Sequence, residues 1–343
     1  MAKKDAPETT EAQAPPVLFI TSGSQGVGLW VARAALKAGY KVLAATTEGT
    51  AGAVRIRAMG ALPVYPDLTR AGELKSVMTI ATPDVVVNCD PQSLVSVPQH
   101  RADYHALAQK VRAGTQTLVQ VSAELNVSTL VHLSAGYLYG ETGAQAIDET
   151  GAIDTGNDVY SALQAAEAAV QAADLTAYIL RTGYLYSGES QALQALAEKL
   201  RAGQGVIDGK GHANYVHESD LAQAIMHLID PETKAEAGVY NVATDQHLTH
   251  HDFMLTFGEL FGVGQPSGIP SFMERFRIDP FQKTLVGQST VLDNSKLQAT
   301  GWHAQYPTAT AGIEQALLIW RAAEGATYAS DTPDSESKEL TTT

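Results

Sequence analysis

The chain has 343 residues, a single cysteine, 45% hydrophobic residues and a formal net charge of −14 at neutral pH. That apolar fraction supports a globular fold, and the acidity argues against nucleic acid, whose binders release counterions through a basic stripe that this sequence lacks. Cys89 alone excludes an internal disulfide and a cysteine-based zinc site, and no apolar run approaches the roughly 20 residues needed to span a bilayer.

Residues 1–16 are polar, rich in Ala, Thr, Glu and Pro, and lack the apolar core of a signal peptide. A disordered tail and a cytoplasmic location are expected. Residues 17–28 read Val-Leu-Phe-Ile-Thr-Ser-Gly-Ser-Gln-Gly-Val-Gly and run straight into a helical segment over 29–37. A strand, a Gly-rich turn and a helix bring backbone N–H groups and the positive end of the helix dipole to one point, as in a cradle for a dinucleotide pyrophosphate. Gly26 and Gly28 let the backbone approach a phosphate and the neighbouring strand without a Cβ clash. Such turns also occur without a ligand, so context matters. A second strand over 41–46, a helix end over 55–60 and a third strand over 62–65 supply the βαβ unit the motif requires.

Further along, the pattern predicts a helix over 71–80, a buried strand over 84–88, a long helix over 100–126, a strand over 129–133, an Ala-rich helix over 158–173 and a sixth strand over 177–180. This alternation predicts an α/β fold, a Rossmann-type doubly wound parallel sheet over 17–182 with right-handed crossovers and with sheet elements returning later in the chain. Beyond it the pattern predicts helices over 191–202, 218–229 and 250–261, a strand over 239–242, an irregular stretch over 262–287 containing three prolines, and closing helices near 294–300 and 309–321. Residues 183–323 read as a smaller C-terminal α/β substrate lobe over the C-terminal edge of the sheet. Residues 324–343 read as a disordered acidic tail.

Together these segments resemble the extended (atypical) short-chain dehydrogenase/reductase superfamily, in its NAD-dependent epimerase/dehydratase group, over roughly residues 17–323. Val131-His-Leu-Ser-Ala-Gly-Tyr-Leu-Tyr-Gly140 is similar to the family's fifth strand and Tyr-Gly turn, and Ile147-Asp-Glu149 to the acidic segment after it. Tyr160 through Glu167 lies where the Tyr-x-x-x-Lys helix does, and Leu180-Arg-Thr-Gly-Tyr-Leu-Tyr186 resembles its Arg-Pro-Gly-x-x-Tyr stretch. Tyr215-Val-His-Glu-Ser-Asp-Leu-Ala222, Gly238-Val-Tyr-Asn-Val242 and Gly301-Trp302 have counterparts too. The resemblance implies an NAD(P)-binding oxidoreductase, epimerase or dehydratase acting on a small hydroxyl- or carbonyl-bearing substrate such as a nucleotide sugar, with a homodimer common in the family.

It also implies site residues. Tyr160 matches the general acid/base, but Gln164 stands where a Lys lowers the Tyr pKa and holds the ribose. Gln164 can bond a ribose hydroxyl but cannot stabilise a tyrosinate, and a Tyr near its reference pKa of about 10 is a poor base at neutral pH. The family's Ser or Thr falls at Ala135. Ser134 is one residue off and points to the opposite face of a strand unless a bulge brings it round. Thr21, Gly23, Gln25, Gly26, Val27 and Gly28 are the implied pyrophosphate contacts, with Ser22 replacing the first Gly. Thr46 and Thr47 stand where an Asp would bond the ribose 2′-hydroxyl. With no acid there, the choice between NAD and NADP tilts towards NADP, although Arg55 and Arg57 lie too far along the next helix to be assigned to a 2′-phosphate. Asp67 and Leu68 match an adenine-edge contact, with a helix N-cap by Asp67 or Thr69 as the alternative. Asn88, ending the fourth strand, completes the set.

Other residues carry competing readings. His247, His250 and His251 form a metal-like cluster, but solvated helix-start histidines explain them without ligand spacing. His217 matches a residue shaping the substrate lobe, and Asp220 reads as a helix cap. Arg181 meets an anionic substrate or forms a buried ion pair. Tyr137, Tyr139, Tyr184 and Tyr186 pack together or stack on substrate. A second reading of the whole is a catalytically impaired member that keeps the nucleotide fold as a structural or regulatory module for a protein partner.

Overall fold

The computed structural model describes residues 14–98, 102–143 and 145–330. The expectations for residues 1–13 and 331–343 lie outside them. The elements run β1 Val17–Ile20, α1 Gly26–Lys37, β2 Lys41–Ala45, α2 Gly49–Met59, β3 Leu62–Val64, α3 Ala71–Met78, β4 Val85–Asn88, α4 Gln92–Val95, α5 Tyr104–Glu124, β5 Thr129–Ala135, β6 Ala146–Ile147, α6 Asp158–Gln171 and β7 Thr176–Thr182. They continue with β8 Tyr184–Tyr186, α7 Gln191–Arg201, β9 His212–His217, α8 Glu218–Ile229, β10 Gly238–Val242, β11 His247–Thr249, α9 His250–Phe261, α10 Ser271–Arg277, α11 Pro280–Gly287, β12 Val291–Leu292, α12 Ser295–Gln298 and α13 Ala309–Ser330.

The main sheet has seven parallel strands in the order β10-β7-β5-β4-β1-β2-β3. Chain order reverses between β1 and β4, which makes their C-terminal ends the switch point where ligands of such sheets bind. Alternate strand residues face two cores. Leu18, Ile20, Val87, Leu133 and Ala135 pack with α1, α8 and Tyr160. Phe19, Val86, Leu130 and Ile179 pack with α3, α5 and Val170. Strands buried on both faces need continuous apolar runs, and Val85-Val-Val supplies one. The register of β5 on β7 sets Ser134 opposite Arg181 and Ala135 opposite Thr182. Over the sheet's C-terminal edge lie a three-stranded sheet, β11-β9-β8, and the pair β12-β6. β10, from beyond residue 182, extends the main sheet.

Two expectations are corrected. The stretch 262–287 is not irregular: it carries α10 and α11. Pro280 is at the first position of α11, where a missing N–H costs nothing. Asp279 caps that helix by accepting from Phe281 N, while its own N–H donates to Gln282 Oε1, a reciprocal box. The last helix also runs to Ser330, past the expected start of the tail. Among the described residues no helix is long and apolar enough to cross a membrane.

Candidate functional site

The turn between β1 and α1 is built around two glycines and a strained serine. Ser22 adopts φ +52° and Gly26 φ +51°. A Cβ on Gly28 would collide with the Ser22 carbonyl oxygen, so only Gly closes the turn onto its helix. Gly23 lies against Ala44 of β2. The helix starts at Gly26 with no side-chain cap on Gln25, and its first-turn N–H groups have no intrahelical acceptors. Thr21 is buried and donates to Asn88 Oδ1 at 2.9 Å, and its hydroxyl accepts from Asp90 N at 2.9 Å. Asn88 thus ties the end of β1 to β4 and donates to Thr115 of α5 at 3.0 Å, buried away from solvent.

A groove of about 100 Å³ opens beside this helix end, lined by Gln25, Gly26, Ser93, Ser96 and Ser190 among others. Two side chains converge on the space a Cβ of Gly26 would take, Gln92 through an unpaired Oε1 and Glu218 through Oε1. Glu218 is buried and accepts from the Ser187 hydroxyl. Burial pushes its pKa up to about 7, against the Ser187 bond and with help from Glu189. The backbone and neutral hydroxyls fit a pyrophosphate. An ionised Glu218 opposes one.

Thr46 is buried, shares a 2.8 Å hydrogen bond with Ser24 and accepts from Glu48 N, so it braces the turn. Arg55 is nearer than its position suggests. Gly52 lets α2 pack directly on Thr46, and Arg55 Nη1 reaches the Ser24 carbonyl at 2.5 Å. It also pairs with Glu48 at 3.3 Å. This guanidinium at the end of β2 is a group sequence reasoning set aside. Asp67 is exposed and accepts from Thr69 N and Oγ1 at 2.9 and 2.7 Å, while Arg70 is the residue before α3. Leu68 packs towards Gly114.

Tyr160 begins the buried face of α6, whose N-terminus Asn157 caps by accepting from Val159 N and Tyr160 N. Its ring packs against Tyr137 and Phe281 at 5.9 and 5.6 Å. Its hydroxyl donates to Gln288 Oε1 at 2.9 Å. Burial raises the phenol pKa above its usual value. Gln164 is half-buried one turn on, and among the described residues its amide has no partner. Ser134 is not brought to Tyr160: its hydroxyl donates to Glu167 Oε1 at 2.5 Å, behind the sheet. Glu167 is paired there with Arg181 at 2.6 Å, and Arg181 donates on to Tyr139 at 2.9 Å. Arg181 is therefore a structural cation, absent from the cleft. Beside Tyr160 a small cavity is lined by Tyr137, Thr182, Tyr184, Asn214, Leu285 and Gln288 among others.

The His cluster separates. His250 is buried rather than solvated and bonds Tyr215 at 2.8 Å, and burial lowers its pKa to about 4. His251 pairs with Asp208 at the surface. Among the described residues no group of three His, Cys, Asp or Glu could hold a metal ion. His217 is buried between Trp30, Tyr186 and Tyr306. Asp220 accepts from Gln305 N and Tyr306 N, both at 3.0 Å, stapling the segment before α13 to α8.

The model of the NAD dependent epimerase/dehydratase family matches residues 19–243. The dTDP-4-dehydrorhamnose reductase of Mycolicibacterium smegmatis is 30% identical over 160 residues, 44% of this chain and 46% of that protein. The match thus spans less than half of that curated relative. Among solved structures, Thermus thermophilus UDP-glucose 4-epimerase in complex with NAD superposes with a TM-score of 0.74 at 20% identity, over 90% of this chain and 99% of that one. Bacillus anthracis dTDP-glucose 4,6-dehydratase in complex with NAD gives 0.72 at 15% identity, over 90% and 98%.

Proposed function

The chain belongs to the NAD dependent epimerase/dehydratase family, and from that premise we propose that it binds NAD(P) at the β1–α1 turn and acts on the hydroxyl or carbonyl group of a nucleotide sugar. The observation that carries this reading is Tyr160, buried beside a small cavity at the C-terminal edge of the sheet that also bears the glycine turn. Gly26 and Val27 hold the pyrophosphate through first-turn N–H groups of α1 that have no intrahelical acceptor. Gln164 orients the nicotinamide ribose through its unpaired amide. When bound, the nicotinamide supplies the site for hydride transfer. Tyr160 Oη gives its proton to the substrate oxygen, or takes one back, and burial keeps that hydroxyl protonated at rest. The proteins this chain is similar to, which include a sugar reductase and a sugar-nucleotide epimerase, support the substrate class.

Arg55 favours NADP. A guanidinium held at the Ser24 carbonyl, with no acid at Thr46 or Thr47, suits a 2′-phosphate, which would displace its exposed pair with Glu48. Calorimetric titration with NAD⁺, NADH, NADP⁺ and NADPH tests both points. Micromolar binding with the NADP pair tighter is the expected result. Binding of none of the four ends this reading.

A second reading, a family member retaining the fold without turnover, is favoured by one arrangement. Phe281 at the start of α11 and Gln288 just after it close over Tyr160, and no cation stands at position 164. Such a protein would bind the dinucleotide and turn over no sugar nucleotide.

A further inference from the structure

Two residues that line the same cavity carry buried hydroxyls, and neither hydroxyl has a hydrogen-bond partner among the described residues. They are Thr182 Oγ1 and Tyr137 Oη. Thr182 is 1% exposed and Tyr137 6%. A buried hydroxyl without a partner bears the full cost of leaving water, and native folds keep few of them. Two around one cavity mark a place where a ligand atom completes the bonding. The cavity is about 20 Å³, room for one oxygen-bearing group. Its other walls mix Val95, Leu285 and Leu292 with Asn214, Gln288 and Thr290, whose side chains already bond within the fold, so the open partners for an entering polar group include these hydroxyls. Gln288 joins the same wall and accepts from Tyr160.

The strand register explains why the hydroxyl comes from β7. β5 ends in Ala135, which carries no polar atom, and the residue opposite it on the neighbouring strand is Thr182. Residues opposite one another in a parallel pair share a face. Ser134 points to the other face, with its hydroxyl committed to Glu167. The hydroxyl that β5 lacks on the cavity side is therefore present one strand over.

We propose that Thr182, with Tyr137 as its companion, holds the hydroxyl or carbonyl oxygen of the substrate beside Tyr160. The assignment rests on the nucleotide-sugar reading above. Tyr137 stays neutral, because burial raises its pKa well above the usual value, and so serves as a donor.

The test compares UDP-glucose with UDP, by calorimetry on the full chain, in wild type, Thr182→Val, Thr182→Ser and Tyr137→Phe. Wild type is expected to bind UDP-glucose at least tenfold more tightly than UDP. Thr182→Val should erase that preference, leave UDP affinity unchanged and melt no lower than wild type, since an unpaired buried hydroxyl is replaced by an isosteric methyl. Thr182→Ser should keep the preference, and Tyr137→Phe should reduce it. A preference kept in both Thr182→Val and Tyr137→Phe overturns the role of these hydroxyls and leaves the nucleotide-sugar reading intact. A wild type with no preference for the sugar, or no binding of either probe, overturns that reading and this inference together.

Discussion

Tyr160 Oη donates to Gln288 Oε1 at 2.9 Å, joining the start of α6 to the residue that follows α11. The bond makes the proton-transfer group part of a closed contact, with Phe281 packed on the ring. Tyr160→Phe keeps the packing and removes the proton. Turnover of a sugar-nucleotide substrate should fall by about 10²–10⁴-fold, with dinucleotide affinity within about twofold of wild type. Steady-state kinetics paired with calorimetry reads both, and undiminished turnover would remove Tyr160 from the reaction.

Gln164→Lys returns a cation one helical turn from Tyr160, on the same face. The half-buried site, with no partner for the amide, leaves room for the head group to reach solvent. A neighbouring positive charge favours the tyrosinate, so the phenol pKa falls. Each unit of that fall should move the rise of the pH–rate profile one unit lower and raise the rate at neutral pH about tenfold. A profile that does not move would mean that position 164 does not sense Tyr160.

Much of this architecture is legible in the chain. Strand-helix alternation, the valine run of β4 and the Gly-x-Gly end of the turn carry local signals. Each depends on neighbours in sequence, and each led to the right element. What was hidden depends on distant partners. Arg55 reads as remote until Gly52 is seen to seat α2 on Thr46, so that one helical turn spans the distance. The prolines of 262–287 suggest irregular chain, whereas Pro270 directly precedes α10 and Pro280 opens α11, which brings Phe281 and the following Gln288 onto Tyr160. Glu218 meets Gly26 only because α8 packs on α1, a long-range contact that no local pattern encodes.

The buried chain from Ser134 through Glu167 and Arg181 to Tyr139 and Asn241 is a structural network, and its members should behave accordingly. Arg181→Met leaves the Glu167 carboxylate buried and unpaired, a loss of about 3–5 kcal/mol. Ser134→Ala removes one donor to that carboxylate and should cost about 2 kcal/mol. Chemical denaturation measures both. The kcat/KM of folded Ser134→Ala should stay within about twofold of wild type, and a drop beyond tenfold would place the hydroxyl in the reaction after all.

Glu218 makes the cradle sensitive to pH. Its folded pKa is raised from 4.5 to about 7, chiefly by burial. The folded state therefore binds this proton more tightly than the unfolded chain does. The stability that follows is present in full below pH 4.5 and is lost as pH rises through 7. The total is about 3 kcal/mol. The same ionisation places a negative charge against Gly26 at the mouth of α1, where it competes with a pyrophosphate for the helix N-terminus. Dinucleotide affinity in wild type should thus weaken as pH rises through 7. Glu218→Gln keeps an acceptor for Ser187 and cannot ionise. Its affinity and its unfolding free energy should both be flatter across that range, and above pH 7 it should bind the dinucleotide more tightly than wild type. Calorimetry and urea denaturation on either side of pH 7 decide the matter. Equal slopes in the two proteins would show that Glu218 neither titrates there nor faces the phosphate.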